Sequence, residues 1–231
     1  AMHAHVVEWD LPVAPPPPID LTTAPAVGPP EGPPPWSAPG PAAAKAVQVI
    51  AHPGVLRRLR EPWPEQQFCA DLRGVAGLHP FTKLALQMTG PPDHVVLNDI
   101  ASLHVYPDGS FSSPSSGEEA GWGFVVVATL VSRCNVCLGG AAGRVECGGT
   151  ELFLGADKLD NMAAEYTAMA WALAWILQAD IPQCVEVTMW PDCKPVADVT
   201  AGKAAPKAHT ALALMARTLF REVQASRRVG C

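Results

Sequence analysis

The sequence predicts an α/β domain with a mixed β-sheet in its C-terminal half, and three observations indicate this fold class. Two apolar stretches, one beginning near residue 102 and one over residues 121–130, are separated by a string of turn-forming residues. A strongly helical stretch follows over residues 162–177. An alternating strand then leads to Asp192, and the helix before it supplies the crossover that parallel strands require.

The first two strands are predicted to form a hairpin. Leu103 and Val105 lead to Asp108 in the first strand, and the second strand is a nearly continuous, valine-rich run. Ser, Pro and Gly fill residues 112–119 between them, which favours a turn. A third strand is expected within residues 143–154, where glycines flank it on both sides.

The helix over residues 162–177 carries an acid on its apolar face. Asp160 or Asn161 is expected to cap the helix, because each side chain accepts a hydrogen bond from a free backbone amide. The face predicted to pack on the sheet comprises Glu165, Met169, Ala172, Leu173 and Ile176. The alternative for Glu165 is a first-turn acid that only complements the helix dipole.

The last predicted strand has one buried face and ends next to an acid. Val185, Val187 and Met189 alternate there with polar or aromatic neighbours. A parallel arrangement with the first strand brings Asp108 and Asp192 to adjacent strands. The alternative for Asp108, which precedes a glycine, is an ordinary turn residue.

Asp108, Glu165 and Asp192 are therefore the candidate site. Hard cations such as Mg²⁺ take oxygen ligands, so converging carboxylates bind divalent metal. Two such ions held a few Å apart activate water and stabilise the leaving oxygen in phosphodiester hydrolysis. The sequence thus predicts that these three residues are metal ligands and catalytic residues.

The order and setting of these acids resemble the ribonuclease H family, whose members cut the RNA strand of RNA–DNA hybrids. The resemblance covers residues 100–231 and rests on Asp108-Gly109-Ser110, the AGWGFVVV run at residues 120–127, the helix with Glu165, and Asp192-Cys193, where the family has Asp-Ser. The order Asp, Glu, Asp differs from that of integrase-type relatives, which place Glu last.

The resemblance implies a ribonuclease H-like mixed five-stranded sheet with flanking helices and metal-dependent endonucleolytic hydrolysis. Its implied cofactor is a pair of Mg²⁺ ions, with Mn²⁺ as the other candidate metal. Asp108 would bridge both ions, and Glu165 and Asp192 would complete one of them. Pro107 departs from the family, since a proline inside a central strand implies a local bulge.

A second departure lies at the C-terminal end. Family members follow the last long helix with a fifth strand, a loop histidine and a fourth carboxylate, whereas here residues 208–224 form that helix and the sequence stops at Cys231. The fifth strand and the fourth ligand are therefore expected to be missing from the domain over residues 101–231. His209 is not expected to replace the ligand, because it opens the helix, where an exposed histidine is structurally incidental.

Two interpretations of this departure stay open. The chain is either a fragment of a longer polypeptide, such as a retroelement polyprotein with a reverse transcriptase (polymerase) domain, or a degenerate copy. A degenerate copy would be a catalytically impaired module that binds nucleic acid or serves as a structural part. A third alternative is an interaction scaffold that works through its proline-rich segment.

The N-terminal fifth of the chain is expected to be a disordered tail or linker over residues 1–45. Thirteen of the 25 prolines fall within the first 41 residues, and this composition favours extended polyproline conformations. The alternative interpretation of the PPPW stretch at residues 33–36 is a docking ligand for a proline-binding module. Residues 46–100 are predicted to be a connector. Its helices are expected to be short, because prolines interrupt its helical stretches.

Charge is distributed in a way that suits a nucleic-acid partner. The formal net charge is −6, but residues 193–231 contain seven basic and two acidic residues. The predicted backbone contacts to an RNA–DNA hybrid are Ser110, Lys194, Lys203 and Lys207. Arg217 and Arg221 either contact phosphate beside the metal site or lie on a solvated helix surface, and the sequence favours neither alternative. Hybrid preference would come from groove shape and 2′-hydroxyl contacts.

Seven cysteines without a regular framework, no secretory start and no membrane-spanning apolar run predict an intracellular location, in the nucleus or cytoplasm, with no membrane partner. Cys134 and Cys137, with Cys147 downstream, have a zinc-like spacing. Zinc is not expected, because no second such pair or nearby histidine pair accompanies them. Cysteines in a strand connection often serve as small apolar residues.

Overall fold

The computed structural model describes residues 41–61, 63, 68–69, 72, 75, 83, 86–87, 89, 95–113, 115, 117–179, 181–182 and 184–226, and the backbone of residues 229–230. The predicted tail up to residue 40, including the PPPW stretch, lies outside these residues. The helices are α1 (Pro41–Ala46), α2 (Pro53–Arg60), α3 (Asn161–Gln178), α4 (Lys194–Thr200) and α5 (Thr210–Ser226). The strands are β1 (Phe68–Cys69), β2 (Ile100–Ser112), β3 (Glu119–Leu130), β4 (Asn135–Arg144), β5 (Glu186–Met189) and β6 (Val229–Gly230).

These strands form one mixed sheet in the order β1-β4-β3-β2-β5-β6. Strands β2, β3 and β4 are an antiparallel meander, and β1 pairs antiparallel with β4. Helix α3 crosses over to β5, which lies parallel to β2. The predicted hairpin, helix and parallel crossover are therefore confirmed.

The third strand was predicted in the wrong place. It runs over residues 135–144, and most of residues 145–154 form a loop. Half of this strand is Gly or Ala, residues with weak strand propensity, so its pattern pointed downstream. Gly140 explains the composition, because a Cβ there would lie 2.5 Å from the carbonyl oxygen of Phe124 on β3.

Pro107 does not produce the predicted bulge. The β2–β3 register runs without a shift from Ser102 to Ser112 and pairs Pro107 with Phe124. The carbonyl oxygen of Val105 points towards β5, where it accepts from Trp190 N at 2.8 Å. Backbone groups alternate between the two sides of a strand, so the nitrogen of Pro107 points towards β5 as well. Pairing with β5 ends there, and the missing N–H costs no ladder bond.

The fifth strand of the family was predicted to be missing from this chain. A short strand, β6, lies next to β5 instead. The two residues of β6 pair parallel with Val187 and Thr188 of β5. The meander, β5 and β6 together supply five strands, and β1 adds a sixth at the far edge. The predicted mixed α/β sheet with flanking helices is thus confirmed, without the predicted gap.

Helix α3 is the centre of the core. Every residue from Ala163 to Gln178 is buried, because the sheet covers one side and α1, α2 and α5 cover the others. The sequence pattern predicted that one face of this helix is buried, whereas the helix is buried on all sides and is largely apolar all round. No helix among the described residues combines the length and apolarity needed to cross a membrane.

Residues before 100 contribute to this core. Helix α1 begins within the segment predicted to be tail, and its Ala42, Ala43 and Ala46 are buried. The indole of Trp63 makes edge contacts with Trp122 and Trp171, at centroid distances of 6.3 and 5.9 Å. This part of the predicted connector is therefore packed against α3 and the sheet.

Replacing Trp63 with Ala is expected to lower the free energy of unfolding by about 3–5 kcal/mol, because it removes a buried aromatic from the core. Urea denaturation followed by circular dichroism measures the change. Val131→Ala is the control, since Val131 is 70 % exposed and should leave the midpoint unchanged. Equal midpoints for Trp63→Ala and the wild type would contradict the packing of this segment.

Candidate metal centre

The first candidate ligand, Asp108, lies where β2 passes directly over the start of α3. A Cβ on Gly109 would lie 2.4 Å from Glu165 N and 2.5 Å from the carbonyl carbon of Ala164. Only a glycine permits this approach, because any side chain would collide with the helix backbone. The contact places the strand acid and the helix acid side by side.

The second strand acid reaches the same point through the parallel pairing. Val105 and Met189 are register partners on β2 and β5. Asp108 and Asp192 each follow three residues later, just beyond the paired segment. Asp108 lies inside β2, which stays paired with β3 as far as Ser112, and Asp192 follows the end of β5. The parallel pairing of the two strands therefore brings the two acids to one point.

Helix α3 supplies Glu165 from its second turn. Asp160 caps this helix, with its Oδ1 accepting from Ala163 N at 2.9 Å, as one of the two predicted caps. The Glu165 side chain is only 6 % exposed, whereas Asp108 and Asp192 are exposed. The predicted convergence is thus present, because one carboxylate oxygen from each acid lies within 4.8 Å of the other two.

Mutual repulsion dominates the electrostatics of this cluster after burial. Burial, then the charges of Asp192 and Asp108, raise the pKa of Glu165 to about 7. Burial and the charge of Asp192 also raise the pKa of Asp108 above its ordinary value. The backbone N–H of Gly109 opposes both shifts.

The three acids fit a hard divalent cation. Ligand oxygens at about 2.1 Å from Mg²⁺ are at most about 4.2 Å apart, so small side-chain rotations would close the cluster around an ion. A cation would also relieve the repulsion that raises the pKa of Glu165. Within the described part of the chain, the cluster consists of these three acids and has no fourth carboxylate.

Strand order and site position together decide the fold. An antiparallel meander is followed by a helical crossover to a strand parallel to its first member. One acid lies within that first strand, one follows the parallel strand and one lies near the start of the crossover helix. The fold is ribonuclease H-like. Its β2 and β5 are adjacent, as the sequence predicts for the strands that bring Asp108 and Asp192 together.

Solved structures with a ribonuclease H-like fold include two similar to this chain. The N-terminal RNase H domain of Rv2228c from Mycobacterium tuberculosis, solved as a fusion with maltose-binding protein, is 19% identical over 56% of this chain and 80% of that one, with a TM-score of 0.38. RNase H1 from the halophilic archaeon Halobacterium salinarum NRC-1 is 21% identical over 52% of this chain and 78% of that one, with a TM-score of 0.33.

No family model matches the sequence, and no curated protein matches it.

The predicted nucleic-acid contacts lie on exposed positions of the ribonuclease H-like domain. Ser110 is two residues beyond Asp108 on β2 and lines a groove of about 580 Å³ that also borders Asp108. Lys194 opens α4, two residues after Asp192, and Lys203 and Lys207 are exposed between α4 and α5. Their roles in binding stay predictions.

Arg217 has a structural task that neither of its predicted alternatives covers. Its Nε and Nη2 donate to the carbonyl oxygen of Val199 at 2.9 and 2.7 Å, and Nη2 also donates to that of Ala204 at 2.6 Å. The side chain therefore caps the C-terminal end of α4. Arg221, one turn further along α5, is exposed.

His209 was wrongly predicted to be an exposed, incidental residue. It is 0 % exposed and has a left-handed backbone with φ of 49°. Its ring bonds the loop before α3 and the capping residue Asp160. Sequence reasoning missed this because nothing local to residue 209 indicates which loop folds over it.

In the metal-free protein, Glu165 is expected to titrate with a midpoint near 7, and Asp192→Asn should lower that midpoint by removing a like charge. Carbon-detected NMR of the side-chain carboxyl measures it. Because folding raises this pKa, the stabilising proton is fully retained below about 4.5 and lost as the pH rises through about 7, so metal-free stability should fall over that interval.

Asp99→Asn is the control for this titration. Asp99 is exposed and immediately precedes β2 at the end opposite Asp108, so its loss should leave the Glu165 midpoint unchanged. A wild-type midpoint between 4 and 5 would contradict the described cluster.

Proposed function

We propose that this protein is a metal-dependent endonuclease that hydrolyses the RNA strand of RNA–DNA hybrids. The observation that supports it best is the convergence of Asp108, Glu165 and Asp192 within 4.8 Å on a ribonuclease H-like fold. Three carboxylates suit a cation better than they suit acid–base catalysis alone, because burial and the charges of the two aspartates raise the pKa of Glu165. The two solved RNase H domains with similar folds are consistent with this class of reaction.

The three acids would have different roles at the metal site, according to whether each side chain is buried or exposed. A divalent cation, Mg²⁺ or Mn²⁺, would supply the activation of water and the neutralisation of charge on the phosphate. Asp108 would hold both ions of a pair, and Glu165 and Asp192 would complete one of them. The buried Glu165 is fixed by its helix, whereas the two exposed aspartates face the solvent from which a phosphodiester approaches.

Substrate binding would use the positive charge that follows the third acid. Lys194, Lys203 and Lys207 are exposed and suit phosphate contacts, and Ser110 lines the groove beside Asp108. Recognition of a hybrid would rest on groove shape and on 2′-hydroxyl contacts, with little reading of bases.

Asp108→Asn is expected to abolish Mg²⁺-dependent cleavage, because the amide cannot supply the negative charge that a bridging ligand needs. Cleavage of an end-labelled RNA–DNA hybrid, with and without Mg²⁺, is the measurement. Asp99→Asn removes an equal charge at the far end of β2 and should retain wild-type activity. Equal cleavage by Asp108→Asn and the wild type would remove the assignment.

The triple variant Lys194→Gln, Lys203→Gln and Lys207→Gln is expected to weaken hybrid binding and to reduce the slope of log affinity against log salt by up to about 3. Each lysine that contacts a phosphate releases a counterion on binding, so its loss flattens the dependence. Fluorescence anisotropy at several salt concentrations measures the slope. Lys45→Gln, an exposed change on α1, is the control. An unchanged slope in the triple variant would contradict the proposed surface.

A non-catalytic hybrid-binding module is the second candidate function. It is favoured by the absence of a fourth carboxylate from the cluster in the described residues. Such a protein would bind Mg²⁺ and hybrid without cutting it, and the assay above separates the two candidates. An accompanying polymerase domain, a retroelement origin and a nuclear or cytoplasmic location stay predictions from the sequence.

A further inference from the structure

A hydrogen-bond network around a buried histidine links the start of α5 to the start of α3. The ring of His209 lies between the two helices with no exposed surface. Its Nδ1 accepts from the backbone N–H of Asp157 at 3.1 Å, and its Nε2 lies 2.9 Å from Oδ1 of Asp160. The backbone N–H of His209 in turn donates to Oδ2 of Asp157 at 2.8 Å.

These contacts define the proton position on the ring. Nδ1 needs a lone pair to accept from the Asp157 amide, so the ring proton sits on Nε2 and is donated to Asp160. The left-handed backbone of His209, an uncommon conformation for a non-glycine residue, turns the ring towards this acceptor. The bond to an ionised carboxylate is charge-assisted and therefore stronger than a neutral one.

Asp160 passes this constraint to the candidate metal centre. The same Oδ1 that accepts from His209 accepts from Ala163 N at 2.9 Å, and the Asp160 carbonyl accepts from Ala164 N at 3.1 Å. Ala164 and Glu165 are the residues that β2 touches at Gly109. The first turn of α3 is thus held by Gly109 and by His209 together.

We propose that His209 is a positioning residue for Glu165: through Asp160 it fixes the first turn of α3 and so holds the Glu165 carboxylate within reach of Asp108 and Asp192. This inference rests on the proposed function for its catalytic meaning. The positioning itself concerns only residues of this chain, and it is measurable without substrate.

Two variants break the link by different routes. His209→Asn keeps a residue that tolerates the left-handed backbone but is too short to reach Asp160. Asp160→Ser keeps a helix cap and the native His209, and shortens the acceptor instead. The second variant covers the case in which His209→Asn fails to fold.

His52→Asn is a matched control. His52 caps α2 by accepting from Val55 N, and its other ring nitrogen bonds the carbonyl oxygen of Phe153 in the loop before α3. The same substitution there removes a bond from a histidine ring to the loop before α3, while Asn can keep the cap of α2. It touches neither Asp160 nor the first turn of α3.

Hydrogen exchange of the backbone amides and calorimetric titration with Mg²⁺ are the measurements. Both link-breaking variants are expected to accelerate exchange at Ala163, Ala164 and Glu165 by about tenfold, as for loss of a bond to a charged group. Mg²⁺ affinity should fall about tenfold, as for loss of an outer-shell partner. The double variant should show no more than either single change, because both remove one link.

Wild-type exchange rates at these three amides in both variants would overturn the proposal, as would equal acceleration in His52→Asn. A wild-type protein that binds Mg²⁺ but does not cut hybrid would count against the proposed function alone. The exchange measurement needs neither metal nor substrate, so it decides the positioning role in either case.

Discussion

The close approach of β2 to the first turn of α3 is the constraint on which the candidate site depends. Gly109 allows strand and helix backbones to meet without an intervening side chain. Because the strand contributes Asp108 and the helix contributes Glu165, that single contact sets the spacing of two ligands. The parallel pairing of β2 with β5 then adds Asp192, since equal offsets from Val105 and Met189 bring the two aspartates to the same point.

The cluster is held together against its own electrostatics. Burial and two neighbouring negative charges raise the pKa of Glu165 to about 7, so the folded protein without a cation holds carboxylates that resist ionisation. Perturbed pKa values of this kind cluster at functional sites, which makes these acids a candidate site. The surrounding packing, with α3 buried on all sides, supplies the stability that keeps the acids in place.

The elements predicted correctly from the sequence are those whose own residues determine their secondary structure. The valine-rich hairpin, the capped helix and the alternating strand each have a periodicity of their own, and the three acids lie in or directly after these elements. The third strand was misplaced because residues with weak strand propensity fill half of it, and the close approach of Gly140 to the backbone of β3, which favours glycine there, is not visible in the local sequence. His209 was misjudged for a similar reason, since its burial depends on a loop about 50 residues earlier in the chain.

The packing of α1, α2 and Trp63 on the core bears on where this protein can be divided. A fragment that began at residue 101, at the edge of the recognisable motifs, would uncover the indoles of Trp122 and Trp171 and the side of α3 that α1 and α2 cover. Large apolar surfaces of this kind promote self-association in water. A fragment that starts before Pro41 is therefore expected to be more soluble than one that starts at β2.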